Sequence, residues 1–480
     1  MPSVPMSLMP YLGLGAFFVL GSQVYLTVSL ERYDQMRVFQ GAVLCIFGIS
    51  FILYKTEILW CLASRRSRVL CALMLVCGVV SSSLSQWGFE GLVETARIGA
   101  LMAVSVVLAG QLVLAPNRIR FALNLVVLAS SAALVLSRLL EWGWMMADGK
   151  ADTIELFWPF ANRRFFGHLA VFVMPVLTAI CISSARESVV RVASILLAVG
   201  MGGLCIACGS RGSWLATLIG LATVSVVFPE RSRAFVMHSL GIWICSVFFY
   251  FVIFVVVPCW LSIDVLREDR IASLLSGSLS GRDVLWVRAW EYIQASPIFG
   301  VGPMAFSADG DLYGAHPHNI VLQLGAEWGS LALLAAMALS ALVGGRVLRG
   351  AKLANNFENS MLIVALSSAV AGGLVLSMVD GVFVVPASEL WFFVCTGWLV
   401  GECRLARQKG KEQPPLMDGW QAGGYWHAVF SGALVAGLFI QGAFIVNEVP
   451  RLSAKVEEQS ANPKYPNTVF PRYWLAGRIE

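Results

Sequence analysis

AFVMHSLGIWICSVFFYFVIFVVVPCWLS, residues 234–262, is almost entirely apolar and contains no Asp, Glu, Lys or Arg. A helix needs about 20 such residues to cross the hydrocarbon core of a membrane. Because no water is available there, the backbone must satisfy its hydrogen bonds within the segment, which a helix does. This stretch therefore predicts a membrane-spanning α-helix.

Comparable apolar runs recur along the whole chain. The 480 residues are 58% hydrophobic and 13% charged, with a mean hydropathy of +0.75, whereas soluble domains carry roughly 25% charged residues. The alternating ten-residue segments typical of an outer-membrane barrel do not occur. The composition predicts an all-α, polytopic membrane protein.

The apolar runs predict about thirteen spans. They lie near 6–30, 38–54, 69–87, 97–115, 121–140, 165–184, 189–208, 213–229, 234–262, 319–345, 360–379, 387–403 and 425–446. With this count, most Lys and Arg of the short connections fall on one side, which the positive-inside trend makes the cytoplasm. We therefore expect a cytoplasmic N-terminus, a transmembrane domain over 1–446 and a short periplasmic C-terminal tail over 447–480.

One connection on the opposite side, 263–318, is unusually long and basic. Its middle, SGRDVLWVRAWEYIQASP, has apolar and aromatic residues in a broadly amphipathic pattern and is too short to span. We expect a helix that covers the membrane surface, beginning near Ser280 or Gly281 and ending before Pro297. Long structured loops on one face usually carry function.

This loop ends in HPHN, where two of the chain's five histidines, His316 and His318, precede the tenth span. We expect His318 or Asn319 near the helix N-cap. A helix N-terminus disfavours a protonated imidazole, so a histidine there tends to stay neutral and able to accept a proton. The alternative is a histidine that only caps the helix or binds the loop.

Arginines also gather on the face that should lack positive charge. They are Arg163 and Arg164 in ANRRFFGH, Arg211 in GSRGSW, and Arg282 and Arg288 in the long loop. A guanidinium is always charged and forks onto phosphate oxygens, so several converging arginines would bind a diphosphate. For any single arginine, contact with lipid headgroups is the alternative.

Acidic residues allow two further interpretations. Asp309-Gly310-Asp311 has the D-x-D spacing of a nucleotide-sugar metal site, but D-G-D is also ordinary turn chemistry, which we favour. Glu327 lies within the tenth span, where an ionisable group should face the bundle interior or a wet cavity. Polar packing and substrate contact are both open for Glu327, as they are for Asp380 and Glu389 at the outer ends of later spans.

Other patterns indicate structure. Gly325 and Gly329 have the small-xxx-small spacing of close helix packing. No P-loop, HExxH or GxSxG motif occurs. The net charge of +5 is accounted for by the cytoplasmic connections and the outward arginines, so it does not indicate a nucleic-acid partner.

The long loop and tenth span read SGRDVLWVRAWEYIQASPIFGVGPMAFS and then AHPHNIVLQLGAEWGSLALL. These stretches resemble the O-antigen ligase and polymerase superfamily. The shared features are Ser-Gly-Arg followed by tryptophans, a proline before G-x-G-P-x-x-F, and His-Asn at the start of a helix. GSRGSW, NRRFFGH and the Asp-Gly that precedes VVPASELW are similar to the superfamily as well. The resemblance covers about residues 160–400.

The resemblance implies a GT-C-like bundle in the bacterial inner membrane with a periplasmic active site. Members transfer a glycan from undecaprenyl diphosphate, and the ligases are described as metal-independent, so no cofactor or metal is expected. By this resemblance His318 is the catalytic residue, and Arg211 and Arg282 bind the diphosphate. The other expected site residues are Arg288, Arg163 and Arg164 for the diphosphate, and His316, Asn319, Glu327 and Asp380 for the acceptor or for support of the base.

The acceptor stays open. Lipid A–core sugar is favoured, and a protein hydroxyl such as a pilin serine, or a second glycan in a polymerase, is the alternative. Gly329 fits the ligase spacing after the histidine, but Ala332 stands where that pattern has glycine or threonine. A lipid-linked-glycan transporter is a remoter alternative, because carriers usually show internal repeats and we see none here.

Overall fold

The computed structural model describes residues 9–20, 30–53, 64–184, 188–266, 281–309, 312, 314–354, 356–409, 420–460 and 472–474. Helices make up nearly all of them. The first are α1 (Met9–Leu20), α2 (Arg32–Leu53), α3 (Arg65–Leu84), α4 (Gly88–Leu114), α5 (Pro116–Ala147), α6 (Arg163–Ser183), α7 (Ser188–Ala207), α8 (Arg211–Val227), α9 (Pro229–Phe251) and α10 (Val257–Trp260). They are followed by α11 (Arg282–Ala295), α12 (Ile320–Glu327), α13 (Gly329–Lys352), α14 (Phe357–Leu376), α15 (Pro386–Lys409), α16 (Trp420–Glu448) and α17 (Leu452–Ser460).

Short non-α elements join some of these helices. A π-helical turn, Val252–Val256, continues α9 into α10, and a 3-10 turn, Glu155–Phe160, precedes α6. The described strands are β1 (Ala151–Asp152) and β2 (Val265–Leu266), two residues each, which pair in parallel.

Several helices are long and apolar enough to cross a membrane. Among the described residues eight qualify: Arg65–Leu84, Gly88–Leu114, Pro116–Ala147, Arg163–Ser183, Val189–Ala207, Pro229–Trp260, Gly329–Lys352 and Phe357–Leu376. The shorter α8 is also apolar. The expected all-α membrane protein is therefore confirmed, while the count of thirteen spans and their orientation stay predictions.

The centre of the bundle is α6. The membrane-crossing part of this helix is entirely buried, and it packs against α7 and α14. Its sequence is apolar on all faces, as expected for a helix surrounded by other helices. Gly373 of α14 permits a close approach, since a Cβ there would lie 2.5 Å from Cε1 of Phe172.

The tenth predicted span is not one continuous helix. It breaks between α12 and α13, at Gly329, whose φ of +81° is unfavourable for residues with a side chain. Backbone groups freed by the break bond to the loop that precedes α12. Gly302 N–H donates to the Glu327 carbonyl at 3.0 Å, and Ser330 N–H donates to the Pro297 carbonyl at 2.9 Å.

The glycines of the G-x-G-P stretch make this contact possible. Gly300 and Gly302 have φ of +74° and +110°, and a Cβ on Gly300 would lie 2.4 Å from the carbonyl carbon of Glu327. A Cβ on Gly329 would lie 2.0 Å from the Ile298 carbonyl oxygen. The prediction that Gly329 serves close helix packing was therefore wrong, because Gly329 contacts the loop at Ile298. Gly325 does face a helix, as its Cβ would contact Ile293 of α11.

The helix expected within the long loop is present as α11. It begins after Gly281, whose φ is +73°, and ends before Ser296 and Pro297, as predicted. Leu285 and Ala289 are buried, whereas other apolar side chains are exposed. Exposed apolar residues are typical of a helix that lies at a membrane surface, and that location stays a prediction.

The region predicted as a tail is partly built into the bundle. Beyond α16 the chain continues through a 3-10 turn, Val449–Arg451, into α17. Further on, Arg472, Tyr473 and Trp474 are at most 2% exposed. This segment therefore packs inside the protein.

Candidate active site

Two histidines meet one aspartate at an end of the bundle. His318 Nδ1 lies 3.4 Å from Oδ1 of Asp380, and His168 Nε2 lies 3.4 Å from Oδ2 of the same carboxylate. His318 precedes α12, Asp380 follows α14, and His168 is in the second turn of α6. His168 is fully buried, whereas a quarter of the His318 side chain is exposed. The exposed imidazole is the member of the group that a substrate can reach.

The backbone holds His318 in a defined place. Its φ of +53° lies in the left-handed region, which costs energy for a residue with a side chain and is often seen at functional sites. Asn319 is the N-cap of α12, as predicted, and its side-chain oxygen accepts from Val321 N–H at 3.0 Å. Asn319 Nδ2 also donates to the Met378 carbonyl at 3.2 Å. Asn319 thereby ties the histidine loop to the turn that carries Asp380.

The buried His316 ring packs against His318. The two rings lie 4.1 Å apart between centroids, and His316 is buried. A Cβ on Gly381 would lie 2.4 Å from His316 Nε2, so only glycine leaves room for the ring. Burial, with the charges of His318 and Arg472, holds the pKa of His316 well below its usual value. His316 is therefore a neutral packing partner of the exposed histidine.

Asp380 is ionised in this setting. Burial opposes its ionisation, but the charges and hydrogen bonds of His168 and His318 outweigh burial and hold the pKa of Asp380 well below its usual value. Its Oδ1 also accepts the N–H of Gly381 at 2.8 Å. A carboxylate fixed in this way orients the histidine it faces and stabilises that imidazole when it takes up a proton.

Arg211 lies at the same end of the bundle. It is the first residue of α8 and is exposed. The serine turn before it packs against α6, because a Cβ on Gly167 would lie 2.6 Å from Ser210 Cβ. The next residue, Gly212, faces Leu376 at the end of α14. Arg211 therefore lies beside the helix ends that carry His168 and Asp380.

Arg282 begins α11, which lies over the histidine loop. Trp286 Nε1, one turn further along, donates to the Pro317 carbonyl at 2.9 Å. Leu285 packs against Gly314, where a Cβ would lie 3.1 Å from the leucine. Because residues four apart share a helix face, Arg282 lies on the side of α11 that meets the loop.

Arg163 and Arg164 form the first turn of α6. The Asn162 side chain caps this helix by accepting Arg164 N–H at 3.0 Å. Arg164 precedes His168 by four residues and so lies on the same helix face. Both arginines are half-buried at the end of the bundle where the histidines lie.

Arg288 contacts carboxylates of its own loop and helix. Its Nε lies 3.0 Å from Oδ2 of Asp309, and its Nη1 lies 3.1 Å from Glu291. Tyr292 also donates to Asp309, at 2.7 Å. The carboxylate of Asp309 thus binds neighbours in its own loop, as the turn interpretation predicts, while Gly310 and Asp311 lie outside the described residues.

Glu327 is engaged in contacts within the protein. It is fully buried, accepts Phe306 N–H at 3.1 Å and pairs with Arg472 Nη2 at 2.5 Å. Glu327 therefore joins the loop to the helix break, and a contact with the acceptor stays a prediction. Glu389 is likewise engaged within the protein, since it pairs with the buried Arg37 and Arg97.

His168 was not among the residues predicted for the site. Its signals in the sequence are its place at the end of NRRFFGH and its polarity inside the otherwise apolar FFGHLAVFVMP, and periodicity alone cannot distinguish such a residue from packing. Arg472 was missed because nothing in a polar C-terminal stretch indicates that it returns to the bundle. Both depend on contacts between residues far apart in the chain.

Residues 195–337 match a family model described as O-antigen ligase. No curated protein matches the chain. The matched range contains Arg211, Arg282, Arg288, His316 and His318, but not His168 or Asp380, which the fold brings to them. The chain thus carries a domain over residues 195–337 that matches the O-antigen ligase family, in agreement with the resemblance of its long loop to the O-antigen ligase and polymerase superfamily.

Proposed function

We propose that the protein moves a glycan from a polyprenyl diphosphate, such as undecaprenyl diphosphate, to an acceptor hydroxyl, with lipid A–core favoured as acceptor. The observation that carries the proposal is the exposed His318 backed by the ionised Asp380. An O-antigen ligase domain over the same loop supports it. In this proposal the histidine end of the bundle faces the periplasm and the N-terminus is cytoplasmic.

His318 acts as the general base. Nδ1 keeps its proton and directs it at the Asp380 carboxylate, which leaves Nε2 with a lone pair for the acceptor hydroxyl. As Nε2 takes the proton, the hydroxyl oxygen bonds to the anomeric carbon and the bond from that carbon to the diphosphate oxygen breaks, with inversion. A base in this position contributes a rate factor of about 10²–10⁴. The proton later leaves His318 for solvent or for the released diphosphate.

Arginines stabilise the leaving group. Arg211 and Arg282 start helices at the histidine end of the bundle, and Arg163 and Arg164 lie at the start of α6. Their charges would stabilise the negative charge that develops on the diphosphate. We assign Arg288 to Asp309 and Glu291 instead, because it contacts both. No metal or nucleotide is required, since the diphosphate-linked glycan is already activated.

The decisive experiment compares H318A with H238A. His238 is exposed on α9 and bonds the carbonyl of Ala234 within its own helix, so it is a matched histidine control. Purified protein in detergent would receive a lipid-diphosphate-linked glycan with lipid A–core. H318A should lose transfer while H238A retains it, and full transfer by H318A would refute the assignment of the base.

The same assay identifies the acceptor. Lipid A–core, a pilin and a second lipid-linked glycan are supplied separately, and glycan transfer to one of them distinguishes a ligase, a protein O-oligosaccharyltransferase or a polymerase. Release of polyprenyl diphosphate should accompany transfer. A transporter would show neither product in detergent.

A further inference from the structure

Residues 472–474, here called the docked segment, are buried in the bundle although more than 150 residues separate them from the histidine loop. Tyr33 Oη donates to the Arg472 carbonyl at 2.6 Å. Arg37 donates to the same carbonyl and to that of Tyr473, each at 3.0 Å. Buried hydrogen bonds to a charged donor are among the stronger ones. The backbone of the docked segment is therefore held by α2.

Aromatic packing fixes the segment from its other side. The Phe444 ring of α16 lies 4.9 Å from the Tyr473 ring and 6.0 Å from the Trp474 ring. These residues form a small cluster with Met304 of the long loop. The docked segment is thus placed between α2, α16 and the loop that precedes α12.

The Arg472 side chain then reaches the candidate active site. Its Nη1 donates to the Ala315 carbonyl at 3.2 Å, one residue before His316. Its Nη2 pairs with Glu327 at 2.5 Å, at the break between α12 and α13. One guanidinium therefore joins the histidine loop to the helix break.

The buried positive and negative charges near Arg472 are balanced. Arg472 lies 3.9 Å from Glu94 as well as beside Glu327, and Arg37 and Arg97 pair with Glu389. Without Arg472, the buried carboxylate of Glu327 would lose its cationic partner, and an unpaired buried charge is strongly unfavourable. The loop would then be free to shift.

We propose that the docked segment is part of the active site and that Arg472 is a positioning residue for His318. It acts through Ala315 and Glu327 and does not touch substrate. This inference rests on the proposed function. Displacements near 1 Å from a reactive geometry can cost about 100-fold in rate, so R472A should lower kcat by about that factor and leave KM for the donor unchanged.

The pH profile provides a readout that a purely structural role would not move. The groups facing His316 are His318, His168, Asp380 and Arg472, and the arginine is one cause of its low pKa. Without Arg472, His316 should take up a proton at higher pH, beside His318. The acid limb of the rate profile should therefore move to higher pH in R472A, and R472K should restore the wild-type limb in part.

The experiment uses the full-length protein in detergent, with rates expressed per folded molecule after size exclusion. R451A is the control, because Arg451 belongs to the same C-terminal region and is exposed. Thermal midpoints of R472Q, E327Q and the double variant test the contact without activity. We expect the double variant to lose less than the sum of the two single losses.

Wild-type kcat and pH profile in R472A, or additive thermal losses, would overturn the inference. If the R472Q and E327Q losses are coupled but the wild-type protein transfers no glycan to any acceptor, the proposed function is refuted while the docking of 472–474 is supported. The two failures are therefore distinguishable.

Discussion

Asp380 lies between His168 and His318, with one carboxylate oxygen 3.4 Å from a ring nitrogen of each. The three residues come from α6, the loop before α12 and the turn after α14. Hydrogen bonds between the last two fix the arrangement, since Ile320 N–H donates to the Ser377 carbonyl at 2.9 Å. His318, the proposed base, is therefore oriented by elements far apart in sequence.

Replacing Asp380 with Asn should lower transfer by about 10²–10⁴-fold, because the amide can present the wrong hydrogen-bonding partner to Nδ1. Donor KM should change little. Steady-state rates on purified protein test this, with D148N as control, since Asp148 is exposed beyond α5. Near wild-type kcat in D380N would show that His318 works without its carboxylate.

Replacing His168 with Gln should change the pH dependence more than the maximum rate. His168 is one of the groups that lower the pKa of Asp380, so its loss raises that pKa. Asp380 would then become protonated at a higher pH, and the acid limb of the kcat/KM profile should move to higher pH. The rate–pH profiles of H168Q and H238Q test this, and identical limbs in H168Q and wild type would contradict it.

Removing both Arg211 and Arg282 should nearly abolish transfer, because two cationic partners of the leaving group are lost. Conversion of each to Lys should retain part of the activity, since the positive charge remains but the planar guanidinium that can bond two phosphate oxygens is lost. R233A is a suitable control, as Arg233 is exposed on α9. Full activity in R211A/R282A would rule out the diphosphate assignment.

G300A should lower the thermal stability. The added Cβ would meet the backbone of Glu327 at 2.4 Å, at a φ of +74°, and such strain costs on the order of 1–3 kcal/mol. G143A is the matched control, because a Cβ on Gly143 of α5 meets nothing within 4 Å. That variant should be neutral or slightly stabilised. Equal thermal midpoints for the two variants would contradict this account of the loop.

Mild acid should destabilise the protein through His316. Its pKa is low in the folded state but near 6.5 when unfolded, so the unfolded chain binds the proton first as pH falls. Stability should therefore be complete above about pH 6.5 and decline below it, by about 1.4 kcal/mol per pH unit at most for this group. Asp380, with its lowered pKa, adds a similar loss only below about pH 4.

Denaturation of wild type and H316N between pH 7 and 5 measures the effect. The slope should be shallower in H316N, whatever its absolute stability. Parallel curves for the two proteins would show that His316 does not titrate differently on unfolding.

The sequence by itself determined that the chain is a helical membrane protein, because a bilayer leaves an apolar run no alternative to internal hydrogen bonds. It also predicted the helix α11 and a helix N-cap at His318 or Asn319, which the structure places at Asn319. These features depend on residues close together in the chain, where spacing and capping chemistry are readable. The resemblance to the O-antigen ligase and polymerase superfamily followed from the same local patterns.

Only the tertiary structure decided which polar groups share the site. It brought His168 and Asp380 to His318, assigned Arg288 to Asp309, and buried Arg472 beside Glu327. It also broke the tenth span at Gly329. Each of these depends on contacts between distant segments, and hydrophobic periodicity carries no information about which buried polar residues will meet.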